Sequence, residues 1–221
     1  MRNRTAGSAA TLRCCVTGRV TNPSLTTRAR LTRVPRVAAL LAAGGGSRFE
    51  GAQHKLLAML QGRPVWEWAL QHVAAAGFDQ VVVITGAAAV EWPAGIIVRH
   101  NRGWSQGQAG SVRMAVQAAD DLGADAVTIG LADQPFVTAE AWRAVAAAPA
   151  EWPIVIAEYD GVPGPNPVRL GRAVWPLLPA EGDAGARMLI REHPEWVCSV
   201  ACVGSGADID TLEDLARWNR C

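Results

Sequence analysis

The amino-acid sequence predicts an α/β protein, a three-layer sandwich with helices on both faces of a mostly parallel sheet and a small β insertion. Three observations predict it. The apolar runs 37–43, 81–85 and 126–131 have strand length and no polar alternation, as strands buried on both faces require. Segments with apolar residues at helical spacing lie between such runs, so strand and helix alternate along the chain. Gly, Pro and Asp stand at the junctions, where turns need them.

The elements follow in order. Residues 37–43 form the first strand and run into three consecutive glycines. Residues 64–76 place Val65, Trp68, Ala69, His72 and Val73 on one helical face, and Gly77 ends that helix. Strands are expected at 81–85 and 96–99. A helix at 111–122 then carries Val112, Ala115, Val116, Ala119 and Leu122 inward and is closed by Gly123. The strand at 126–131 leads to the turn Asp133-Gln134-Pro135 and a helix starting at Thr138, whose hydroxyl can accept an orphan backbone N–H. The rhythm then changes. Runs at 154–158 and 167–170 flank Gly161, Pro163, Gly164 and Pro165, which reads as a hairpin-like insertion. Helices near 172–178 and 184–192, a strand near 196–203 and a last helix at 212–218 complete the chain. Ligands of such sheets sit outside the carboxyl ends of the strands. The glycine loop and the Asp133 turn both follow strand ends directly, so they should share one rim.

Half of the 221 residues are hydrophobic, enough for one domain with a full core, placed here at residues 35–221. The net charge of +1 hides an uneven distribution. Residues 1–36 hold eight arginines and no acid; subtracting these eight from 21 basic residues leaves 13 against 20 acidic ones in residues 37–221. The globular part is acidic, which argues against a nucleic-acid face. Residues 1–34 are rich in Arg, Ser, Thr and Gly without periodicity and read as a disordered basic leader, with an organellar transit segment or an upstream start as alternatives. They lack the apolar core of a secretory signal, and nowhere do about 18 apolar residues run together, so a cytoplasmic protein without a membrane span is expected. The five cysteines do not form a disulfide framework. Cys198 and Cys202 read as buried thiols on one side of a strand, and the four histidines are too scattered for zinc.

The glycine loop carries the chemistry. Glycines after a buried strand leave bare backbone N–H groups that an anion can approach. A dinucleotide fingerprint needs a third glycine where Phe49 stands, and a P-loop needs Ser or Thr where Leu56 follows Lys55; both patterns fail. The stretch Leu41-Ala42-Ala43-Gly44-Gly45-Gly46-Ser47-Arg48, followed by Lys55-Leu56-Leu57, instead resembles the MobA-like NTP transferases of molybdenum-cofactor synthesis, in particular the cytidylyltransferase-like branch. Further segments are similar in the same order over residues 37–216: Asn101 to Val112, the Leu131-Ala132-Asp133-Gln134-Pro135 turn, Gly164 to Val168, Gly182 to Arg187, and Asp208 to Asp214. The resemblance implies the nucleotide-diphospho-sugar transferase type of Rossmann-like sandwich. It also implies that Leu41, Ala42, Ala43, Gly44, Gly45, Gly46, Gly107 and Ser111 bind the nucleotide. Lys55, Arg48 and Asp133 would act in catalysis; Asp133, Asp208 and Asp210 would hold Mg²⁺, and Asn166, Asp183 and Arg187 would bind the acceptor.

The residue types suit these roles. Lys55 is the only lysine in the chain, as expected where a compact ammonium on a flexible stem is needed rather than a planar fork. Magnesium prefers one or two carboxylates plus phosphate oxygens and water, and an Asp at a strand end beside a phosphate loop is the simplest donor. Asp208 and Asp210, two apart in an extended segment, point the same way. Local structural roles compete with each reading: a surface lysine, a turn Asp at 133, a helix cap at Ser111, and a cap by Asp210 or Thr211. Between Arg48 and Lys55 the chain is two residues longer than the resemblance leads one to expect, and Glu50 adds a negative charge there. The implied reaction is Mg²⁺-dependent transfer of a nucleoside monophosphate, CMP from CTP favoured, to a phosphorylated acceptor such as molybdopterin, with release of pyrophosphate. A molybdoenzyme or its maturation factor would be the downstream partner. Alternatives are a guanylyltransferase, a cytidylyltransferase with another acceptor, a non-catalytic nucleotide-binding maturation factor, and a dinucleotide-dependent reductase.

Overall fold

The computed structural model describes residues 33–51 and 53–220. All but the last two residues of the expected leader, together with Cys14, Cys15 and Cys221, lie outside the described residues. The elements are β1 (Val37–Ala42), β2 (Met59–Leu60), β3 (Arg63–Pro64), α1 (Val65–Ala75), β4 (Gln80–Thr85), β5 (Ile97–His100), α2 (Gln108–Asp121), β6 (Ala126–Leu131), α3 (Ala139–Ala147), β7 (Ile154–Tyr159), β8 (Val162–Gly171), α4 (Arg187–Glu192), β9 (Val197–Ala201) and α5 (Leu212–Trp218).

Seven strands form one sheet in the order β5-β4-β1-β6-β8-β7-β9. All run the same way except β8, which is antiparallel to both of its neighbours. The β1 run is apolar throughout because both of its faces are covered. Val37, Ala39 and Leu41 pack with α2 residues such as Val112 and Ala115. Ala38, Leu40 and Ala42 pack with Leu70 and Val73 of α1 and Trp142 of α3. The result is the expected three-layer, mostly parallel sandwich. Cys198 is buried in the second of these layers and Cys202 is partly buried against it. Among the described residues, no helix is long and apolar enough to cross a membrane.

The sheet order places the site. From β1 the chain builds outward through β4 and β5 on one side, then returns to add β6 on the other, so the direction of winding reverses between β1 and β6. Leu41 pairs with Leu131 across these strands, and the Ala132 N–H donates to the Leu41 carbonyl at 2.9 Å. The glycine loop and the Asp133 turn therefore leave the sheet level with each other.

Some elements differ from the sequence expectation for identifiable reasons. The segment 172–178 is a 3₁₀ helix, Arg172–Leu177, with Pro176 inside it, which withholds an N–H from any α-helical ladder. The helix expected from 184 starts only at Arg187, after Gly185 takes a φ of +50°. Strand β8 reaches back to Val162 because its first half pairs with the end of β7 beyond a register shift between Ile156 and Glu158. The two-residue strands β2 and β3 are too short to show a period. Their turn is made by Gln61 and Gly62, both at positive φ.

Gly130 of β6 lies opposite Leu40 and beneath Trp142, which is 1% exposed. A Cβ added there would sit 2.5 Å from Trp142 Cζ2 and 2.7 Å from its Cη2. Gly130→Ala must displace a locked indole, and we expect it to destabilise the fold by about 1–3 kcal/mol. Urea unfolding checks this as a lower midpoint with an unchanged slope; an unchanged midpoint would show that the indole repacks freely.

Candidate functional site

The glycine loop is shaped by close approaches. Gly44 and Gly45 are exposed at the end of β1, and Gly46 adopts φ +62°, a conformation that favours glycine. Trp104 packs against the loop so closely that a Cβ on Gly45 would lie 2.7 Å from its ring. The Ala87 N–H donates to the Ala43 carbonyl at 3.2 Å, with Gly86 fitted between that backbone and Trp104.

Beside the loop lies a cluster of charge. Lys55 is 9% exposed, and its ammonium donates to Asp133 Oδ2 at 2.5 Å and to Asp210 Oδ1 at 2.7 Å. Arg48, whose side chain is largely exposed, reaches the other oxygen of Asp210 at 2.7 Å. Burial works against the Lys55 charge, but the Asp133 and Asp210 carboxylates outweigh it and raise its pKa above the ordinary lysine value. The longer spacing between Arg48 and Lys55 thus still brings both cations to one carboxylate.

The last acidic segment is stitched to the β6 turn. Ile209 is fully buried and its N–H donates to the Asp133 carbonyl at 2.9 Å, so Asp208 and Asp210 flank it on the outer side. Gln134, 1% exposed, donates through Nε2 to the Gly206 carbonyl at 2.9 Å and to Asp208 Oδ1 at 2.6 Å. Burial pushes the Asp208 carboxyl up, and the nearby Asp133 and Asp210 charges add to the shift against the Gln134 bond and Lys55. The cap of α5 is Thr211, in a reciprocal capping box with Asp214. That leaves the Asp210 carboxylate to the two cations.

A cleft of about 350 Å³ opens between the two loops. Of the residues singled out from sequence, Leu41, Ala43, Gly44, Gly45, Gly107, Ser111, Asp133 and Asp183 line it. Gly46, Arg48, Lys55, Asp208 and Asp210 do not line it; Lys55 is tied to it by its bond to Asp133, and Arg48 and Asp210 follow through Lys55, whereas Ala42 faces the α1 and α3 layer. Asn166 and Arg187 line a smaller adjoining cavity of about 30 Å³ that shares Leu41 and Gln108 with the cleft. Ser111 lies inside α2 rather than at its cap, and its Oγ accepts from buried Asn101 Nδ2 at 3.0 Å. Gly107, at φ +108°, meets the Gly182 backbone. There the Ala109 N–H donates to the Gly182 carbonyl at 2.9 Å, and the Gly182 N–H to the Gln106 carbonyl at 3.2 Å. Asn101, Trp104 and Gln134 are positioned by tertiary packing. Their only signal in the sequence is that they lie within the quoted segments.

Among the described residues no three His, Cys, Asp or Glu side chains form a complete cage for a metal. Magnesium needs no such cage, because phosphate oxygens and water supply most of its ligands. Asp133 and Asp210 converge on one ammonium beside the cleft, and that two-carboxylate donor set fits a divalent cation shared with phosphate.

Comparisons with known proteins identify the family. The model of the MobA-like NTP transferase domain matches residues 38–196, from within β1 to the turn before β9. The chain is similar to nicotine blue oxidoreductase of Paenarthrobacter nicotinovorans, with 31% identity over 195 residues covering 80% of this chain and 93% of that protein. It is also similar to the crystal structure of Rv0371c from Mycobacterium tuberculosis H37Rv, with a TM-score of 0.75, 26% identity, and coverage of 85% of this chain and 98% of the other. The manganese complex of Rv0371c gives a TM-score of 0.71 and 25% identity over 85% and 99% of the two chains.

Asp208→Asn keeps an acceptor for Gln134 and removes a charge that burial disfavours. Because the folded carboxyl titrates above its unfolded value of 3.8, ionising it lowers stability as pH rises through the window between those two values. We therefore expect the variant to be more stable than the parent at pH 7 and to lose that advantage towards pH 3. Chemical denaturation at the two pH values tests it, and a variant less stable at pH 7 would contradict it.

Proposed function

The chain belongs to the MobA-like NTP transferase family and is a nucleotidyltransferase; from that premise we propose that it transfers CMP from CTP to the phosphate of a pterin-type acceptor, molybdopterin being favoured, and releases pyrophosphate. One observation carries the catalytic part: a buried lysine, bridged to two carboxylates, stands against the wall of a glycine-loop cleft. Preference for CTP and a pterin acceptor rests on the Leu131-Ala132-Asp133-Gln134-Pro135 turn and the segments around Asn166 and Asp183 to Arg187.

In this reading the backbone N–H groups of Gly44, Gly45 and Gly46 take the triphosphate, and Lys55 and Arg48 neutralise it. Asp133 and Asp210, with Asp208 behind them, would hold Mg²⁺, which when bound supplies further neutralisation of phosphate charge; the manganese complex of Rv0371c supports a divalent site in this fold. The acceptor phosphate is already anionic near neutral pH because its second pKa is about 6. Its oxygen attacks the α-phosphorus, the bond from that phosphorus to the bridging oxygen breaks, and pyrophosphate leaves. No proton has to be removed, so the chain's work is positioning and charge neutralisation. The Ser111 hydroxyl, set by Asn101, faces the cleft where a pyrimidine edge would be read. Asn166, Asp183 and Arg187 bind the acceptor, and the product passes to a molybdoenzyme or its maturation factor.

Incubation with Mg²⁺, molybdopterin and each of the four NTPs tests the reading. CTP should give the fastest pyrophosphate release. Release with GTP alone would identify a guanylyltransferase, and NTP binding without release for any acceptor would favour a non-catalytic maturation factor. The P. nicotinovorans relative is named an oxidoreductase, which keeps a dinucleotide-dependent reductase as the further alternative, and tight NAD(P)H binding with no pyrophosphate release would replace our reading with it.

Lys55→Ala should lower turnover by at least about 100-fold, the scale of losing one preorganised donor. Near-normal pyrophosphate release would remove Lys55 from the mechanism. Asp133→Asn should abolish either turnover or its dependence on added Mg²⁺, and a fully active, Mg²⁺-dependent variant would place the metal elsewhere.

A further inference from the structure

We infer that His54 is a positioning residue that turns the first peptide of the glycine loop so that its N–H faces the nucleotide phosphates; the inference rests on the nucleotide-binding reading above. The peptide between Gly44 and Gly45 has little else to orient it. Both neighbours lack side chains, and a Cβ built on Gly44 would meet nothing within 4 Å; only on the Gly45 side does the Trp104 ring pack close. One hydrogen bond fixes the carbonyl: His54 Nε2 bonds the Gly44 carbonyl at 2.8 Å.

The direction of that bond follows from the other ring nitrogen. The Leu56 N–H donates to His54 Nδ1 at 3.2 Å, so Nδ1 carries no proton, and the neutral ring has its proton on Nε2. Nε2–H therefore donates to the Gly44 carbonyl. In a trans peptide the C=O and the following N–H point to opposite sides. Gly44 and Gly45 line the cleft and His54 does not, so drawing the carbonyl to His54 sends the Gly45 N–H to the cleft side. A flipped peptide would present a carbonyl oxygen to the phosphates instead, replacing a donor by a repelling dipole. Through its second nitrogen the same ring caps the 3₁₀ turn Lys55–Leu57, so one side chain joins the phosphate loop to the lysine that serves it.

Conservative variants separate the two nitrogens. In His54→Gln the terminal amide takes the place of Nε2–H and can donate to the Gly44 carbonyl, with no group at Nδ1. In His54→Asn the side-chain oxygen takes the place of Nδ1 and can cap Leu56, but the side chain is too short for Gly44. His54→Ala removes both. The measurements are the Kd of the NTP that the parent protein binds tightest in Mg²⁺, and the KM and kcat of pyrophosphate release. For His54→Ala and His54→Asn we expect Kd and KM to rise about tenfold with kcat within about threefold, and for His54→Gln a return to within about threefold of the parent, a tenfold change being one decade of the binding constant. Recovery in His54→Asn but not His54→Gln would show that only the lysine turn is capped, and would overturn the inference. Unchanged constants in all three would do the same while leaving the nucleotidyltransferase reading intact. A parent protein that binds none of the four NTPs would overturn both.

Discussion

The ammonium of Lys55, held between Asp133 and Asp210, joins three parts of the chain that are far apart in sequence. Each part depends on a different feature of the fold. Lys55 is delivered by the capped turn after the glycine loop, Asp133 by the end of β6, and Asp210 by the segment that buried Ile209 pins to the β6 turn. A buried cation needs opposite charge close by, and two carboxylates near one another need a cation between them. The cluster is self-consistent only when all three segments arrive, so the site reports the whole domain being folded.

Sheet topology makes that convergence possible. The reversal of winding between β1 and β6 brings two strand ends level and leaves a crevice that no crossover helix covers. The flanking elements close the crevice by backbone bonds and by one ring. Gly182 exchanges hydrogen bonds with Gln106 and Ala109 at the start of α2, and the Trp104 side chain packs against Gly45. Glycines are concentrated here because approach is that close. The carboxylates at the rim also contribute to the negative charge of residues 37–221.

Much of this was legible in the sequence, for reasons that differ by element. Strand Ala126–Leu131 stands out as a short, mostly apolar run followed by a turn, and helix Leu212–Trp218 by the capping residues at its start. The extent of β8 was not legible, since its first half pairs only after a register shift in its partner. The 3₁₀ character of Arg172–Leu177 was hidden because apolar spacing resembles an α-helix, although Pro176 was a visible objection. At the site, Lys55 drew attention as the sole lysine, but nothing local said which acids it would meet. The Thr211 to Asp214 capping pair was present as a pattern, yet it took the fold to show that Asp210 stands apart from it. His54 and Gln134 carried no signal of their own, because each acts on a backbone carbonyl that only the fold brings within reach.

The sequence by itself determined the layered α/β class, the glycine loop as a turn of bare backbone after a buried strand, the exclusion of dinucleotide and P-loop patterns, and the acids and bases available to the site. These are properties of composition, period and local spacing, which a chain carries before it folds. Only the tertiary structure decided which side chains meet: Lys55 with Asp133 and Asp210, Arg48 with Asp210, Gln134 with Asp208, and His54 with Gly44. Those pairings span up to 162 residues, and the register of β1 with β6 and the burial of Ile209 bring the acids within bonding distance of the two cations.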